Sequence, residues 1–225
     1  MGGVVRLEWG ERGLDSILPL CTTIVIVDVL RFTTAVEVAV SRGATVEVLP
    51  DSSRSKGPGL SPVAMRGVKA GQRVRLYSPN GGILSATAAA SGRKVYAACL
   101  RNARAVASAL EDDSSIGLVP AGERWPDGSL RVAIEDLLGA GAVAEAIGQQ
   151  LAPEAEAAAA AFAATGNWLD EWLLSCPSGQ ELVARGLDQD VRVAAELNVS
   201  QSVPQLIAGA YRWPPTLSPT GGTES

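Results

Sequence analysis

The chain contains 225 residues, of which 47% are hydrophobic and 19% are charged, and it carries a net charge of −5 with no histidine. This balance is typical of a folded globular protein, and it opposes nucleic acid or an anionic membrane as a partner because both require a basic surface. The absence of histidine excludes Ser-His-Asp and Cys-His catalysis and His-ligated zinc, which leaves Asp, Glu, Lys, Arg, Ser, Thr, Cys and metal-bound water as candidate chemical groups and a hard, oxygen-bound cation as the natural cofactor candidate.

Strand-like and helix-like segments alternate along the chain. This order indicates successive βαβ units, so we predict an α/β fold that is layered α/β/α around a mainly parallel sheet. One domain over residues 1–213, in one lobe or two related lobes, and a disordered tail over residues 214–225 are expected. The predicted strands are Thr23–Val27, Thr45–Leu49, Arg73–Tyr77, Lys94–Ala98 and Ile116–Pro120, and the predicted helices are Thr34–Ser41, Ile83–Ser91, Ala103–Glu111, Ile134–Gln150 and Pro153–Ala164.

Three smaller features complete this outline. A Ser/Gly/Pro-rich loop is predicted over Asp51–Pro62. Apolar residues at helical spacing predict a buried helix face, formed by Trp168, Leu169, Trp172 and Leu173. The cysteines are odd in number and far apart, which predicts reduced, buried thiols at Cys21, Cys99 and Cys176. We expect a cytoplasmic protein, since no signal peptide pattern opens the chain, and a homo-oligomer is compatible with the sequence.

The segment Thr22–Thr34 joins an apolar, β-branched strand to charged and polar side chains. Asp28 stands where the strand ends, and parallel sheets bind ligands at the carboxyl ends of their strands. The guanidinium of Arg31 and the hydroxyls of Thr33 and Thr34, together with amides of the next helix, can bind phosphate. The alternative is that Asp28 only caps the helix, as an Asp at the end of a strand often does.

Two further segments place polar groups after predicted strands. Ser78–Gly82 (SPNGG) can present the Asn80 side chain and the Gly81 amide to a ligand, although Asn-Gly is also a common turn. Glu135 and Asp136 open a predicted helix and can ligate Mg²⁺, although acidic residues also favour the first turn of any helix. We expect the strands that end near Val27, Tyr77 and Pro120 to bring Asp28, Asn80 and Glu135 into one cleft.

Taken in order, three segments resemble the 2-phosphosulfolactate phosphatase family. They are Asp28–Thr34 (DVLRFTT), Ser78–Gly82 (SPNGG) and Ile134–Ala142 (IEDLLGAGA). The resemblance covers roughly residues 20–207. It continues through four shorter segments: Ala98–Asn102, Val119–Gly122, Gly186–Val191 and Val203–Pro204.

This resemblance implies a Mg²⁺-dependent phosphoric monoester hydrolase. Its substrate would be a small phosphorylated carboxylate or sulfonate, namely a 2-phosphosulfolactate-like phosphorylated 2-hydroxy acid that is converted to the hydroxy acid and inorganic phosphate. The resemblance implies catalytic roles for Asp28 and Arg31, in which Asp28 activates the nucleophile or serves as a third metal ligand. It implies metal binding for Glu135 and Asp136. It implies substrate binding for Thr33, Thr34, Asn80 and Gly81.

Two departures from the family pattern support an alternative. The Gly-Glu-Arg element expected before the SPNGG segment is not found there, and the Thr-Thr-Asn-Gly-Thr expected around Asn80 reads Ser-Pro-Asn-Gly-Gly. The alternative function is a catalytically inactive or diverged family member that binds a small anionic metabolite.

Other chemistries fit the sequence less well. A haloacid-dehalogenase site needs a second Asp two positions after Asp28, but position 30 is Leu. A Cys-x₅-Arg loop needs an arginine six positions after a cysteine, and those positions hold Val27, Ala105 and Leu182. Gly139-x-Gly141-x-x-Ala144 matches a dinucleotide fingerprint formally, but no clear strand precedes it.

Overall fold

The computed structural model describes residues 3–50 and 59–213. The tail predicted over residues 214–225 and most of the loop predicted over Asp51–Pro62 lie outside these residues. The described strands are β1 Val4–Leu7, β2 Thr23–Val27, β3 Thr45–Val48, β4 Arg73–Leu76, β5 Lys94–Ala98, β6 Ser115–Pro120, β7 Glu123–Arg124, β8 Leu130–Arg131, β9 Gln150–Leu151, β10 Gln205–Ile207 and β11 Ala210–Arg212. The described α-helices are α1 Gly10–Ile17, α2 Phe32–Ser41, α3 Pro62–Met65, α4 Gly81–Ala90, α5 Ala103–Ala109, α6 Ile134–Ile147, α7 Pro153–Thr165, α8 Leu169–Ser175, α9 Pro177–Ala184 and α10 Asp188–Ala195.

Nine strands form one sheet in the order β4-β3-β11-β10-β5-β2-β6-β1-β9, and β7 and β8 form a separate hairpin. β2 pairs in parallel with β5 on one side and with β6 on the other, and Val27 lies in register with both Ala98 and Pro120. All five residues of β2 are buried, as expected for a strand that is covered on both faces. The loops that follow β2 and β6 therefore begin side by side at one edge of the sheet.

Helices cover the sheet on both faces. Val25 and Val27 of β2 pack in a core with α5, α6 and α7, whereas Ile24 and Ile26 pack on the opposite face with α1 and α4. This alternation follows from the period of two in a strand, which points successive side chains to opposite faces. The large, mainly parallel sheet between two helix layers confirms the predicted α/β fold class.

The direction of β4 differs from the sequence-based expectation. Three successive antiparallel pairings, from β5 through β10 and β11 to β3, reverse the strand direction along the ladder, so β3 and β4 run opposite to β2. The loop after β4 nevertheless meets the loop after β2, because the Gly81 amide donates to the Asp28 carboxylate. The sheet edge predicted for β2 and β6 is correct, but β4 reaches it from an oppositely running pair of strands.

The predicted helix face around Trp168 and the three cysteines can both be compared with the structure. Leu169 and Leu173 are buried, but Trp168 and Trp172 are 60% and 43% exposed, so the expectation that all four residues form a core face is wrong for the tryptophans. Their helix is amphipathic, and only the leucine side packs inward. Cys21, Cys99 and Cys176 are free and buried, as predicted. Within the described part of the chain, no helix combines the length and apolar character needed to cross a membrane.

Gly139 and Gly141 lie inside helix α6. A Cβ atom added at Gly139 would lie 2.6 Å from a methyl carbon of Val29 and 2.8 Å from one of Val27, and one added at Gly141 would collide with the carbonyl oxygen of Ala158 in α7. A dinucleotide fingerprint needs its glycines in the turn between a strand and a helix. These glycines instead let α6 pack closely on its neighbours.

Candidate active site

Asp28 is the residue that joins the loops of the site. Its Oδ1 atom accepts a hydrogen bond from the Phe32 amide at 3.1 Å, and its Oδ2 atom accepts hydrogen bonds from the Gly81 amide at 2.9 Å and the Ser78 hydroxyl at 3.2 Å. Phe32 and Gly81 are the first residues of α2 and α4, so one buried carboxylate binds the N-termini of two helices. Burial raises the pKa of Asp28 in spite of these three hydrogen bonds, and the charge of Glu135 adds to the rise.

Gly81 is required for this close approach. An added Cβ atom would lie 2.7 Å from Asp28 Oδ2 and 2.7 Å from a ring carbon of Phe32. We expect Gly81→Ala to displace the loop, to cost about 1–3 kcal/mol of stability as overpacking does, and to lower any activity of the site about tenfold or more. Thermal unfolding measures the first effect. Gly67→Ala is the matched control, because its nearest atom would lie at an ordinary contact distance of 3.4 Å; equal melting temperatures for the two variants would contradict the expectation.

Asp136 joins a third loop to the same place. It lies in the first turn of α6 and accepts hydrogen bonds from the Val29 amide at 2.7 Å and the Gly122 amide at 2.9 Å. Burial raises its pKa well above the ordinary value, and the charges of Asp28 and Glu135 raise it further. Asp136 therefore ties the loops after β2 and β6 to the start of α6.

Glu135 lies next to Asp136 and is 1% exposed. Its Oε2 atom is buried and has no hydrogen-bond partner within the described residues. The charge of this side chain raises the pKa of both Asp28 and Glu123. Burial, with the charge of Glu135 contributing, also raises the pKa of the nearby Cys176 thiol to about 12, so this cysteine is neutral and unsuited to be a nucleophile.

Glu123 is a site residue that sequence reasoning missed. It begins the β7–β8 hairpin and accepts a hydrogen bond of 3.0 Å from the Asn80 side-chain amide. Burial raises the pKa of Glu123 to about 7, the charges of Asp28 and Glu135 add to this rise, and the Asn80 hydrogen bond and the Arg131 charge oppose it. The signal was present in the sequence, because Glu123 directly follows the segment Val119–Gly122 that carries part of the family resemblance.

Polar side chains from these loops line a cleft of about 240 Å³. The four carboxyl groups of Asp28, Glu123, Glu135 and Asp136 lie in or beside it, and burial together with mutual repulsion raises the pKa of Asp28, Glu123 and Asp136. Of the residues predicted for the site, the structure brings Asp28, Arg31 and Asn80 to the cleft surface. The polar residues that line it are Asp28, Arg31, Ser78, Asn80, Glu123, Ser178, Glu181 and Arg185.

Arg31 lines the cleft but also has a structural partner. Its Nη1 atom donates to Asp190 Oδ2 at 2.6 Å, and Asp190 is 2% exposed. The other oxygen of Asp190 accepts hydrogen bonds from the Ser61 hydroxyl and the Val63 amide. The start of α3 and the segment Gly186–Val191, which resembles the family, therefore meet at this arginine.

Thr33 and Thr34 lie behind the cleft surface. The Thr33 hydroxyl donates to the carbonyl oxygen of Asp28 at 2.8 Å and accepts from the amide of the same residue at 3.0 Å. The Thr34 hydroxyl donates to the carbonyl oxygen of Val29 at 2.8 Å. Both threonines are fully buried, so in this structure their hydroxyls hold the loop after β2 and do not face a ligand.

The carboxyl groups of the site were predicted to bind a magnesium ion. Within residues 3–50 and 59–213, no group of three or more Cys, Asp or Glu side chains is arranged to hold a metal ion. Mg²⁺, however, commonly keeps several waters and uses only one or two protein carboxylates together with substrate phosphate. The Oε2 atom of Glu135, which has no partner within the described residues, and the neighbouring carboxyl groups fit such an ion.

Comparison with known proteins decides the family. The family model described as 2-phosphosulpholactate phosphatase matches residues 57–209. The chain belongs to this family. It is 36% identical over 157 residues to a probable 2-phosphosulfolactate phosphatase of Deinococcus radiodurans, a match that covers 67% of this chain and 63% of that protein. A relative of the same description from Carboxydothermus hydrogenoformans is 30% identical over 210 residues, a match that covers 81% of this chain and 85% of that protein. One from Thermotoga petrophila is 26% identical over 215 residues, a match that covers 85% of this chain and 92% of that protein.

The match includes most of the site. Asn80, Gly81, Glu123, Glu135 and Asp136 lie within residues 57–209, whereas Asp28 and Arg31 lie before them. The site of this 2-phosphosulfolactate phosphatase family member thus combines a matched part with a loop that lies outside the matched residues. The contacts of Asp28 with Ser78 and Gly81 join these two parts.

Proposed function

We propose that the protein is a Mg²⁺-dependent phosphatase that hydrolyses a small phosphorylated 2-hydroxy acid, similar to 2-phosphosulfolactate, to the hydroxy acid and inorganic phosphate. The observation that carries this proposal is the convergence of three loops on buried carboxylates beside a cleft that also contains Arg31 and Asn80. Family membership supports the same reaction class. The four relatives compared are each described as probable 2-phosphosulfolactate phosphatases.

The phosphoryl group would bind among donors that line the cleft. The Asn80 amide has two N–H donors, of which one binds Glu123, and Asp190 holds the Arg31 guanidinium in place by one nitrogen. Helix α4 begins directly after Asn80, and helix N-termini favour anions. We therefore assign phosphate binding to Asn80, Arg31 and the start of α4, and we assign Thr33 and Thr34 to the support of this loop.

Glu135 and Asp136 are the residues that would hold Mg²⁺. Glu135 has an oxygen without a partner, and each oxygen of Asp136 accepts only one hydrogen bond, which leaves a lone pair on each. When bound, the ion would neutralise charge on the phosphoryl oxygens and offset the repulsion among the four carboxylates.

Asp28 and Glu123 are suited to the proton transfers. Asp28 keeps a lone pair on Oδ1 that can orient an attacking water in the cleft. As the bond between phosphorus and the leaving oxygen breaks, that oxygen needs a proton. A carboxyl group with a pKa of about 7 can hold a proton near neutral pH and donate it, and Glu123 is such a group.

The test is a phosphate-release assay over small phosphorylated carboxylates and sulfonates, with Mg²⁺ and with EDTA. We expect release from phosphorylated 2-hydroxy acids in Mg²⁺ and its loss in EDTA. Release that EDTA does not reduce would contradict the metal assignment. Binding of these compounds in calorimetry without any release of phosphate would instead establish the alternative, a diverged family member that binds a small anionic metabolite.

A further inference from the structure

Beside the cleft lies a second cavity of about 700 Å³, bounded by the β7–β8 hairpin and the start of α9. The two cavities share Glu123 and Glu181 in their walls, so a molecule bound in the cleft can extend into the second cavity. Trp125, Val132 and Pro177 contribute apolar surface to the second cavity, and Arg131 contributes a cation. The phosphatase chemistry proposed above uses none of these four residues.

Arg131 occupies the junction between the two cavities. Its backbone pairs with Glu123 in the hairpin, and its guanidinium lies 5.8 Å from the centroid of the Trp125 ring. The guanidinium nitrogen Nη2 lies 3.5 Å from the hydroxyl of Ser178, which lines the cleft. The side chain thus reaches from the wall of the second cavity to the edge of the first.

The ion pair that Arg131 forms is exposed on the side of its partner. Its side chain is only 13% exposed, while the carboxylate that pairs with it, Glu181, is 67% exposed and lies 3.3 Å away. Exposed ion pairs contribute little, because water screens them and both side chains lose freedom. Arg31 differs, since its partner Asp190 is almost completely buried and lies at 2.6 Å. A mostly buried guanidinium whose carboxylate partner is solvent-exposed can exchange that partner for an anionic ligand.

We propose that Arg131 is a specificity-determining residue that binds a second anionic group of the substrate, a carboxylate or sulfonate, while the phosphoryl group lies in the cleft. This inference rests on the proposed phosphatase function. A second anion would otherwise be repelled by the carboxylates of the site, and the planar guanidinium offsets that repulsion and can bind two anion oxygens at once.

The experiment compares three substrates on wild type, Arg131→Met and Arg131→Lys. The substrates are p-nitrophenyl phosphate, whose leaving group lacks a carboxylate or sulfonate, 2-phospholactate with one carboxylate, and 2-phosphosulfolactate with an added sulfonate. We expect Arg131→Met to raise KM about 10- to 100-fold for the anion-bearing substrates, the scale of a lost charged hydrogen bond, and less than about threefold for p-nitrophenyl phosphate. For the anion-bearing substrates, the KM of Arg131→Lys should lie between those of wild type and Arg131→Met, because lysine keeps the positive charge but lacks the planar fork of donors.

The pattern of losses separates the possible anions. An effect confined to 2-phosphosulfolactate assigns the sulfonate to Arg131, and an equal effect on both anion-bearing substrates assigns the carboxylate. Equal losses on all three substrates, or no loss at all, would overturn the proposal. Arg75→Met is the matched control. Arg75 lies on the edge strand β4 and forms an exposed ion pair with Glu47 of β3.

Binding measurements keep this inference testable if the proposed function fails. Should wild type release no phosphate from any substrate, calorimetry compares inorganic phosphate with 2-phosphosulfolactate. We expect wild type to prefer the organic ligand about tenfold or more and Arg131→Met to lose that preference. A wild-type protein without the preference would contradict the role of Arg131, whatever its catalytic activity.

Discussion

Glu135→Gln is expected to lower phosphate release by about two orders of magnitude or more while the fold survives. The substitution keeps the shape of the side chain but removes a negative charge from a buried position, and loss of one preorganised charged contact typically has an effect of this size. Mg²⁺ should also raise the melting temperature of wild type and have little effect on the variant, because a ligand stabilises only a protein that binds it.

Without the metal, the order of stability should reverse, so that wild type is less stable than Glu135→Gln near neutral pH. Burial, helped by the charge of Glu135, raises the pKa of Asp28 and Asp136 above 3.8, and that of Glu123 from 4.5 to about 7. The folded state therefore holds protons that the unfolded chain has released, so stability in EDTA should fall as the pH rises from about 4 to 7. Removal of the Glu135 charge weakens these shifts, so Glu135→Gln should show a shallower fall.

Thermal unfolding at several pH values, in EDTA and separately in Mg²⁺ without EDTA, measures both effects. Glu145→Gln is the matched control, because Glu145 is an exposed glutamate on the same helix α6. Unchanged phosphate release and an unchanged response to Mg²⁺ in Glu135→Gln would reduce Glu135 to a residue that only favours the start of a helix.

The central strands could be predicted because their sequence signal is local. β2 is a run of five residues that are all buried, and β5 and β6 repeat that apolar pattern beside it. The short strand β1, in which buried and half-buried residues alternate, gave a weaker signal and was not predicted. The reversed direction of β4 could not be read from its own sequence, because it depends on the C-terminal hairpin β10–β11 pairing between β5 and β3.

The sequence indicates where the polar motifs lie along the chain, but not which way their side chains face. Asp28 and Asn80 do meet across two loops, since their motifs follow strands, but the sequence could not distinguish a ligand-binding hydroxyl from a loop-supporting one. Thr33 and Thr34 show the difference, because their partners are backbone groups five residues earlier in the chain. The role of Asp190 was equally hidden, since its partner Arg31 lies 159 residues away in the sequence.

Arg31 now carries a prediction that the sequence alone did not give. From the sequence, loss of this arginine should affect activity and leave stability nearly unchanged. In the structure, Arg31→Ala leaves the Asp190 carboxylate buried without its cation, and breaking a buried ion pair in this way typically costs about 3–5 kcal/mol. We therefore expect the melting temperature to fall by about 10 °C, together with a loss of phosphate release.

A double variant separates the two roles of Arg31. Arg31→Ala combined with Asp190→Asn removes both charges, so most of the lost stability should return, since no unpaired charge stays buried. If Arg31 also binds the phosphoryl group, kcat/KM of the double variant should stay about 100-fold or more below wild type, because the guanidinium that stabilises charge in the transition state is still absent. Thermal unfolding and phosphate release on the same samples provide the two readouts. Recovery of both stability and activity would show that Arg31 serves only to hold the loop after β2 against α10, and the phosphate would then depend on Asn80 and the start of α4 alone.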